Sequence, residues 1–360
     1  MSNILEQFDH YLKADGPAAI VTREPLIPVE GADGVLFPST FASGDGFPGG
    51  YNIDGDPNGE NVALVDSVGS QANRIEPLFA EADHAALVPQ VVITAGVKRI
   101  NLLEAGHRAG DAIVRCSSLQ QELHDAFKAL LDGDATSLAK IAPTSLVFGV
   151  WDSRDTQAKM PRLIASTIRA YNVRKLTRSA QYWAGGSSNP VTVYDDENIL
   201  GPIKDDKDRK ERSTSGFTHV PATGSHGGII AKGGIRRDAT LALAALKLIN
   251  AGSDADSTLK LRRYILGLAL VAFTKLPGGY LRQGTILISD PDNQGKTDEV
   301  YANGSRKPFT VTHEEALKYA KDAAEAFGVG ESREVPFDAE KAKADLAGKE
   351  AKSKAKKEKK

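Results

Sequence analysis

A chain of 360 residues, 41% of them hydrophobic, is long enough for two domains or for one domain with long insertions. Its single cysteine, Cys116, excludes an internal disulfide and a cysteine-built metal centre, and the charges in its first sixteen residues exclude the apolar core of a signal peptide. The net charge of −2 is unevenly spread: nine lysines against Asp345, Glu350 and Glu358 give +6 over residues 341–360, so the preceding 340 residues carry −8, which argues against a bulk-charge grip on nucleic acid and leaves room only for a local groove.

In chain order, residues 1–17 read as a short amphipathic helix on Ile4, Phe8, Tyr11 and Leu12, and 18–28 as a strand containing Arg23. Residues 29–60, rich in Gly and Pro, read as a long loop or an irregular hairpin. A strand at 61–65 leads into a helix at 67–82, followed by strands at 91–95 and 100–103 and one or two helices over 107–131. Residues 146–150 read as a short strand ending at Trp151, and 163–173 alternate as a strand should. A polar insertion at 183–228 is expected to be a mobile arm. After it, 229–235 cross a glycine pair into a helix at 237–250. A second helix at 257–273, a buried strand at 280–288, a helix at 313–327 and a disordered Lys-rich tail over 331–360 complete the chain. The longest apolar run, Ile265–Phe273, is far below the roughly 20 residues of a membrane span, so a cytoplasmic protein is expected. The order strand, helix, strand, strand, helix, strand fits an α+β fold, with an RRM-like (ferredoxin-like) core over 18–330 interrupted at about 29–60 and 183–228.

The segment Leu64–Phe79, LVDSVGSQANRIEPLF, runs from an apolar strand into a helix start bearing Ser67, Gly69, Ser70 and Gln71, with Asn73 and Arg74 one turn on. Free N–H groups at a helix start attract anions, a glycine admits a close phosphate, and Arg74 shares a face with Ser70. The same residues also read as an ordinary serine N-cap with a surface arginine whose partner is Glu76. A second basic, glycine-rich stretch, GSHGGIIAKGGIRRD at Gly224–Asp238, carries Lys232, Arg236 and Arg237. It lacks the spacing of a nucleotide-binding P-loop and also reads as a plain hairpin. Trp151 and Arg154 fit base stacking and phosphate contact, or a strand end in the core; Lys159 and Arg162 flank Pro161; Arg178 and Gln181 run into Tyr182-Trp183. His107-Arg108 either meets a phosphate or caps a helix. The seven histidines are not at metal spacing and no serine sits in a nucleophile elbow, so no metal, cofactor or catalytic residue is expected.

Beyond these local readings, SVGSQANRIEP resembles the first-helix signature of the backbone subunit of CRISPR Cascade-type effector complexes, the RAMP-superfamily group numbered seven among the Cas proteins. LLEAGHRAGDAIVR (Leu102–Arg115), SLVFGVWDSRDTQAKMPRLIASTIRAYNV (Ser145–Val173), LTRSAQY (Leu176–Tyr182) and IAKGGIRRDATLALAAL (Ile230–Leu246) resemble its type I-U, or I-G, branch. The resemblance implies an RRM-like palm with inserted finger and thumb elements, the thumb falling within 183–228. It implies copies stacked head to tail on guide RNA as a helical filament, contacts with the large and RNA-processing Cascade subunits, and pairing of the guide with target DNA in antiviral defence. Taken with it, the residues assigned to the guide RNA are Arg23, Ser67, Gly69, Ser70, Gln71, Asn73, Arg74, His107, Arg108, Trp151, Arg154, Lys159, Arg162, Arg178, Gln181, Lys232, Arg236 and Arg237. In type III relatives an acidic residue of this subunit cleaves target RNA. Asp66 is the corresponding candidate here, although an Asp before a helix is more often a cap or dipole partner.

Overall fold

The computed structural model describes residues 4–56, 59–178, 204–215, 225–275 and 278–347. Four strands form the centre of the main sheet: β1 (Ala19–Pro28), β2 (Asn61–Asp66), which leads into helix α1 (Val68–Ile75), β3 (Ile164–Tyr171), continued by β4 (Val173–Arg178), and β6 (Ile235–Leu241), preceded by β5 (Ser225–Ala231). Helix α2 (Ala255–Thr274), strands β7 (Tyr280–Arg282), β8 (Thr285–Ser289) and β9 (Lys296–Val300), and helix α3 (His313–Phe327) follow. The sheet runs β7-β8-β1-β6-β3-β2, closed at the far side by the short strand Ile53–Gly55. One edge of β1 is shared: β8 pairs with Leu26–Pro28 and β9 with Ala19–Arg23. Taking β8 and β9 as one interrupted strand and setting the outer strand β2 aside, β1, β3, β6 and β8/β9 stand in the antiparallel order fourth, first, third, second, with helices in the first and last connections. This is the split β-α-β arrangement of a ferredoxin-like or RRM-like α+β domain.

The helices cover one face. Ile20, Thr22, Glu24 and Leu26 of β1 point to that face, whereas Val21, Arg23, Pro25 and Ile27 point away, as the two-residue period of a strand requires. Helix α2 is buried along most of its length, from Leu261 to Phe273, as befits a helix that is apolar all round. It packs so closely on α3 that a Cβ at Gly267 would lie 2.9 Å from Ala320 Cα. The start of α3 is fixed by a capping box between Thr312 and Glu315.

Strands β3 and β4 are one run bent at Asn172, whose φ is 47°, and β5 and β6 are joined through the turn at Lys232–Gly234. β3 pairs with β6 inside the sheet, and β4 pairs with β5 as a separate two-stranded ribbon. Of the arm expected at 183–228, a helix Asp206–Thr214 and the start of β5 are described. Residues 183–203 and 216–224 of the stretch assigned to the thumb lie outside the described residues.

Several sequence expectations need correction. Residues 1–17 hold two 3-10 turns, Ile4–Glu6 and Asp9–Tyr11, instead of an α-helix; Phe8 and Tyr11 are buried and the Tyr11 hydroxyl donates to Glu299 at 2.6 Å. The apolar run read as a strand at 146–150 is a wholly buried helical turn, Thr144–Phe148, before a two-residue strand, Val150–Trp151, because a short buried run has no diagnostic period. The helix expected at 237–250 is β6 followed by a short helix, Leu243–Leu246; the alternation of buried Ile235, Arg237, Ala239 and Leu241 carries it as a strand. The strand at 280–288 is a hairpin turned at Gly284, with Tyr280, Ile286 and Ile288 exposed. The first part of the expected tail is folded: Arg333–Pro336 pairs in parallel with the strand Val91–Ala95, and 339–347 are helical. The Gly- and Pro-rich 29–60 stretch contains the short pair Thr40–Phe41 with Gly50–Tyr51, an irregular hairpin.

Two imidazoles link α3 to the connection before Val91–Ala95. His84 Nε2 and His313 Nε2 are 3.3 Å apart, and Thr274 Oγ1 lies 3.0 Å from His313 Nδ1. Burial holds both histidines below the ordinary imidazole value, and nearby Lys275 adds to the effect; around His84, Lys321 acts with it, while Glu81 and Asp83 oppose it. An imidazole that protonates more readily in the unfolded chain costs stability as pH falls. The melting temperature is therefore expected to drop as pH falls below 6.5, the unperturbed value, and a His84→Gln/His313→Gln variant should show a flatter melting-temperature profile over pH 5–6.5. An unchanged slope would refute the assignment.

Candidate nucleic-acid interface

At the start of α1, Ser67 is the N-cap, accepting from the Ser70 backbone N–H at 3.3 Å. Beneath it the Asp66 side chain is fully buried. Its carboxylate accepts from Ser70 Oγ at 2.8 Å, Gln71 Nε2 at 2.7 Å, Arg74 Nε at 3.2 Å and Arg282 Nη2 at 2.9 Å. Gln71 is itself buried, and its Oε1 accepts from Ser166 Oγ at 2.9 Å. Of the cradle expected here, Ser70 Oγ and Gln71 Nε2 direct their donors to Asp66, and Ser67 serves as the N-cap, as the alternative reading had it. Arg74 is anchored by its Nε while its side chain stays 35% exposed. Four side-chain donors enclose Asp66 and satisfy its buried carboxylate within the protein. Among the described residues no group of three or more His, Cys, Asp or Glu is placed to hold a metal ion.

Beside α1 lies a recess of about 520 Å³ that gathers six of the expected residues from three separate segments. The turn at Arg108–Gly110 brings His107 and Arg108. The hairpin Val150–Trp151 with Lys159–Met160 brings Trp151, Arg154 and Lys159, and the chain leaving it brings Arg162. Arg115 joins them, and no Asp or Glu is among the lining residues. Arg108 and Arg115 are matched from behind, by Glu76 at 2.5 Å and by Asp345. Arg154, Lys159 and Arg162 are exposed and, among the described residues, have no carboxylate at ion-pair distance. Trp151 is 56% exposed, with Lys159 Nζ 5.6 Å from its ring centroid. A large aromatic held in solvent beside cations is unusual for a core residue and suits stacking on a base.

Backbone geometry makes the recess. Gly149 has a φ of 82°, and a Cβ there would sit 2.8 Å from Arg162 Cγ, so only glycine lets the two stretches approach. At the opening, the Cβ position of Gly69 faces Arg162 Nη2 at 4.0 Å, which puts the first turn of α1 on the rim. Exposed Asn73 accepts from Arg108 Nη2 at 3.3 Å, and Arg108 Nη1 reaches the Gly149 carbonyl at 3.4 Å. Arg108 is buried, holds a positive φ of 54°, and lies over the Phe148 ring. Burial raises the Glu76 carboxyl to about 7, against the pull of Arg108 and Thr144. Because the raised value lies in the folded state, its contribution to stability is fully present below 4.5 and is lost as pH rises toward about 7, opposite in sign to the histidine pair.

The second basic stretch does not join this recess. Strand alternation sends Arg237 inward, where it pairs with Glu24 at 2.6 Å, and Arg236 outward, where it binds Asp238 at 2.9 Å and the Tyr171 hydroxyl at 2.8 Å. Arg23 lies on the outer face, 3.7 Å from Asp238, and Lys232 is exposed at the turn before β6. Gln71, Asn73, Arg74 and Arg237 line a separate cavity of about 620 Å³, with Glu24 and Glu81 also in its wall. Arg178 is exposed at the end of β4, and Gln181 lies outside the described residues. Sequence reasoning missed Arg115, although it ends the segment Leu102–Arg115. It also missed Arg282, which reaches Asp66 across 216 positions with no local signal.

Residues 20–175, which run from β1 into β4 and include α1 and the whole recess, are similar to the family described as CRISPR-associated protein GSU0053. No curated protein matches the chain. Among the described residues no helix is long and apolar enough to cross a membrane.

Proposed function

We propose that this chain is a non-catalytic backbone subunit of a CRISPR Cascade-type effector complex, one that holds guide RNA by its phosphates and presents the bases for pairing with target DNA. The observation that carries the reading is the recess with no Asp or Glu among its described lining residues, where Arg154, Lys159 and Arg162 have, among the described residues, no carboxylate at ion-pair distance and Trp151 is exposed beside them. Phosphates bind such cations without regard to sequence, and an aromatic face stacks any base. Base pairing, not the protein, then supplies sequence recognition. The family match covers the recess entirely, which supports placing the RNA there.

In this reading successive copies stack head to tail on one RNA and meet the other Cascade subunits at the ends of the stack. Heterologous contacts of this kind generate an open helix. Asp66 serves the fold by holding α1 to β7 through Arg282 and takes no part in RNA cleavage. The test is nuclease protection of RNA bound to the purified assembly. Protected stretches at a regular interval are expected; uniform digestion, or magnesium-dependent cuts that disappear in Asp66→Asn, would end the proposal.

A further inference from the structure

Arg154 stands on a turn that closes upon itself. Asp152, buried beneath it, accepts from the Thr156 N–H at 2.8 Å and from Thr156 Oγ1 at 2.6 Å. The Gln157 N–H reaches the Asp152 carbonyl at 2.9 Å, and Gln157 Nε2 returns to the Ser153 carbonyl at 2.9 Å. These bonds fix the shape of the turn but not its direction against the body. One contact from outside sets that direction: Asp155 Oδ2 lies 2.5 Å from Nδ1 of His124, on the helix Gln120–Leu131. Among the described residues, no other hydrogen bond joins 153–157 to anything beyond 152–158. The pair sits directly behind the recess, since Arg115 lines both the recess and the cleft that holds His124 and Asp155.

From this geometry we infer that His124 and Asp155 are positioning residues for the recess: their contact holds Arg154 at the wall before a polyanion arrives. The inference rests on the RNA-binding reading of the recess and adds to it the pair that sets its geometry. A turn pinned in the free protein need not be ordered on binding, and such ordering otherwise subtracts from affinity. Charge alone predicts the opposite effect. Asp155 is a carboxylate adjoining Arg154 in the chain, and its removal should relieve repulsion and tighten the grip on phosphates. The sign of the change in affinity therefore separates positioning from bulk charge.

The experiment titrates a fluorescent oligouridine against full-length variants over a range of salt. His124→Ala should bind about fivefold more weakly, the worth of one charge-assisted contact in a solvent-open site. Its plot of log K against log salt should be shallower by about 0.7, as the loss of one single-strand phosphate contact requires. Asp155→Ala should also bind more weakly, against the sign that charge alone predicts. Asp155→Asn keeps an acceptor for the imidazole and should bind at least as tightly as the wild type. In an Arg154→Ala chain, Asp155→Ala should cause no further loss, because the pair acts through Arg154. Melting temperatures should stay at the wild-type value, since a partly exposed pair contributes little to stability. Unchanged affinity in His124→Ala, wild-type or tighter binding by Asp155→Ala, or a further loss from Asp155→Ala in the Arg154→Ala chain would each overturn the inference. Arg154→Ala alone separates the two levels. If it weakens binding while His124→Ala and Asp155→Ala do not, the positioning role fails and the recess stands. If Arg154→Ala, His124→Ala and the Arg154→Ala/Lys159→Ala/Arg162→Ala chain all keep full affinity, the recess reading fails and the positioning role with it.

Discussion

Asp66→Ala is expected to destabilise the protein by about 3–5 kcal/mol, the range for removing one partner of a buried ion pair. The carboxylate is the shared acceptor for Arg74, Arg282, Gln71 and Ser70, and its removal strands at least Gln71 and the Arg282 edge without a partner. Against a total stability of about 5–15 kcal/mol for an ordinary domain this is a large fraction. Asp66→Asn should cost less, because one amide oxygen still accepts, but its NH₂ must then face a donor. Denaturant unfolding measures both. Wild-type stability in the alanine variant would mean that these contacts do not hold α1 to the sheet, and the structural role given to Asp66 would be withdrawn.

The second large effect is on binding. Arg154→Ala/Lys159→Ala/Arg162→Ala should weaken affinity for single-stranded RNA about 100-fold at physiological salt, taking about 1 kcal/mol for each charge-assisted contact in a solvent-open site. The salt dependence should become shallower by about 2. These side chains are exposed and, among the described residues, have no carboxylate partners, so the melting temperature should stay within the scatter of surface substitutions. Binding lost together with folding would not be the expected pattern; full RNA affinity in a folded variant would remove the recess from the path of the RNA.

The sequence resolved what repeats locally and missed what closes at long range. The alternation of β1 and β3 and the all-apolar face of α2 are periodic, and their positions came out within a residue or two. Helix α3 was read with its observed bounds, 313–327, and in the structure a capping box between Thr312 and Glu315 fixes its start. The run 144–148 was misread because burial on every side leaves no period, and β6 was misread because Arg236, Arg237 and Asp238 resemble the first turn of a charged helix. In the site, six recess residues were nameable from residue type alone, but nothing local joins His107 to Arg162. The donors at 70 and 71 looked available because their acceptor, Asp66, was weighed only as a cap or a nuclease residue. The same blindness hid Arg282 and the Arg115–Asp345 pair, each defined by partners more than two hundred positions apart.

A net charge of −8 over residues 1–340 together with a cation-walled hollow produces a lopsided electric field. Most trajectories of an approaching polyelectrolyte are deflected, and the productive ones converge on one opening. Such a distribution favours one orientation of the incoming strand over strength of adhesion, so encounter rates should respond to ionic strength more sharply than the small overall charge would suggest.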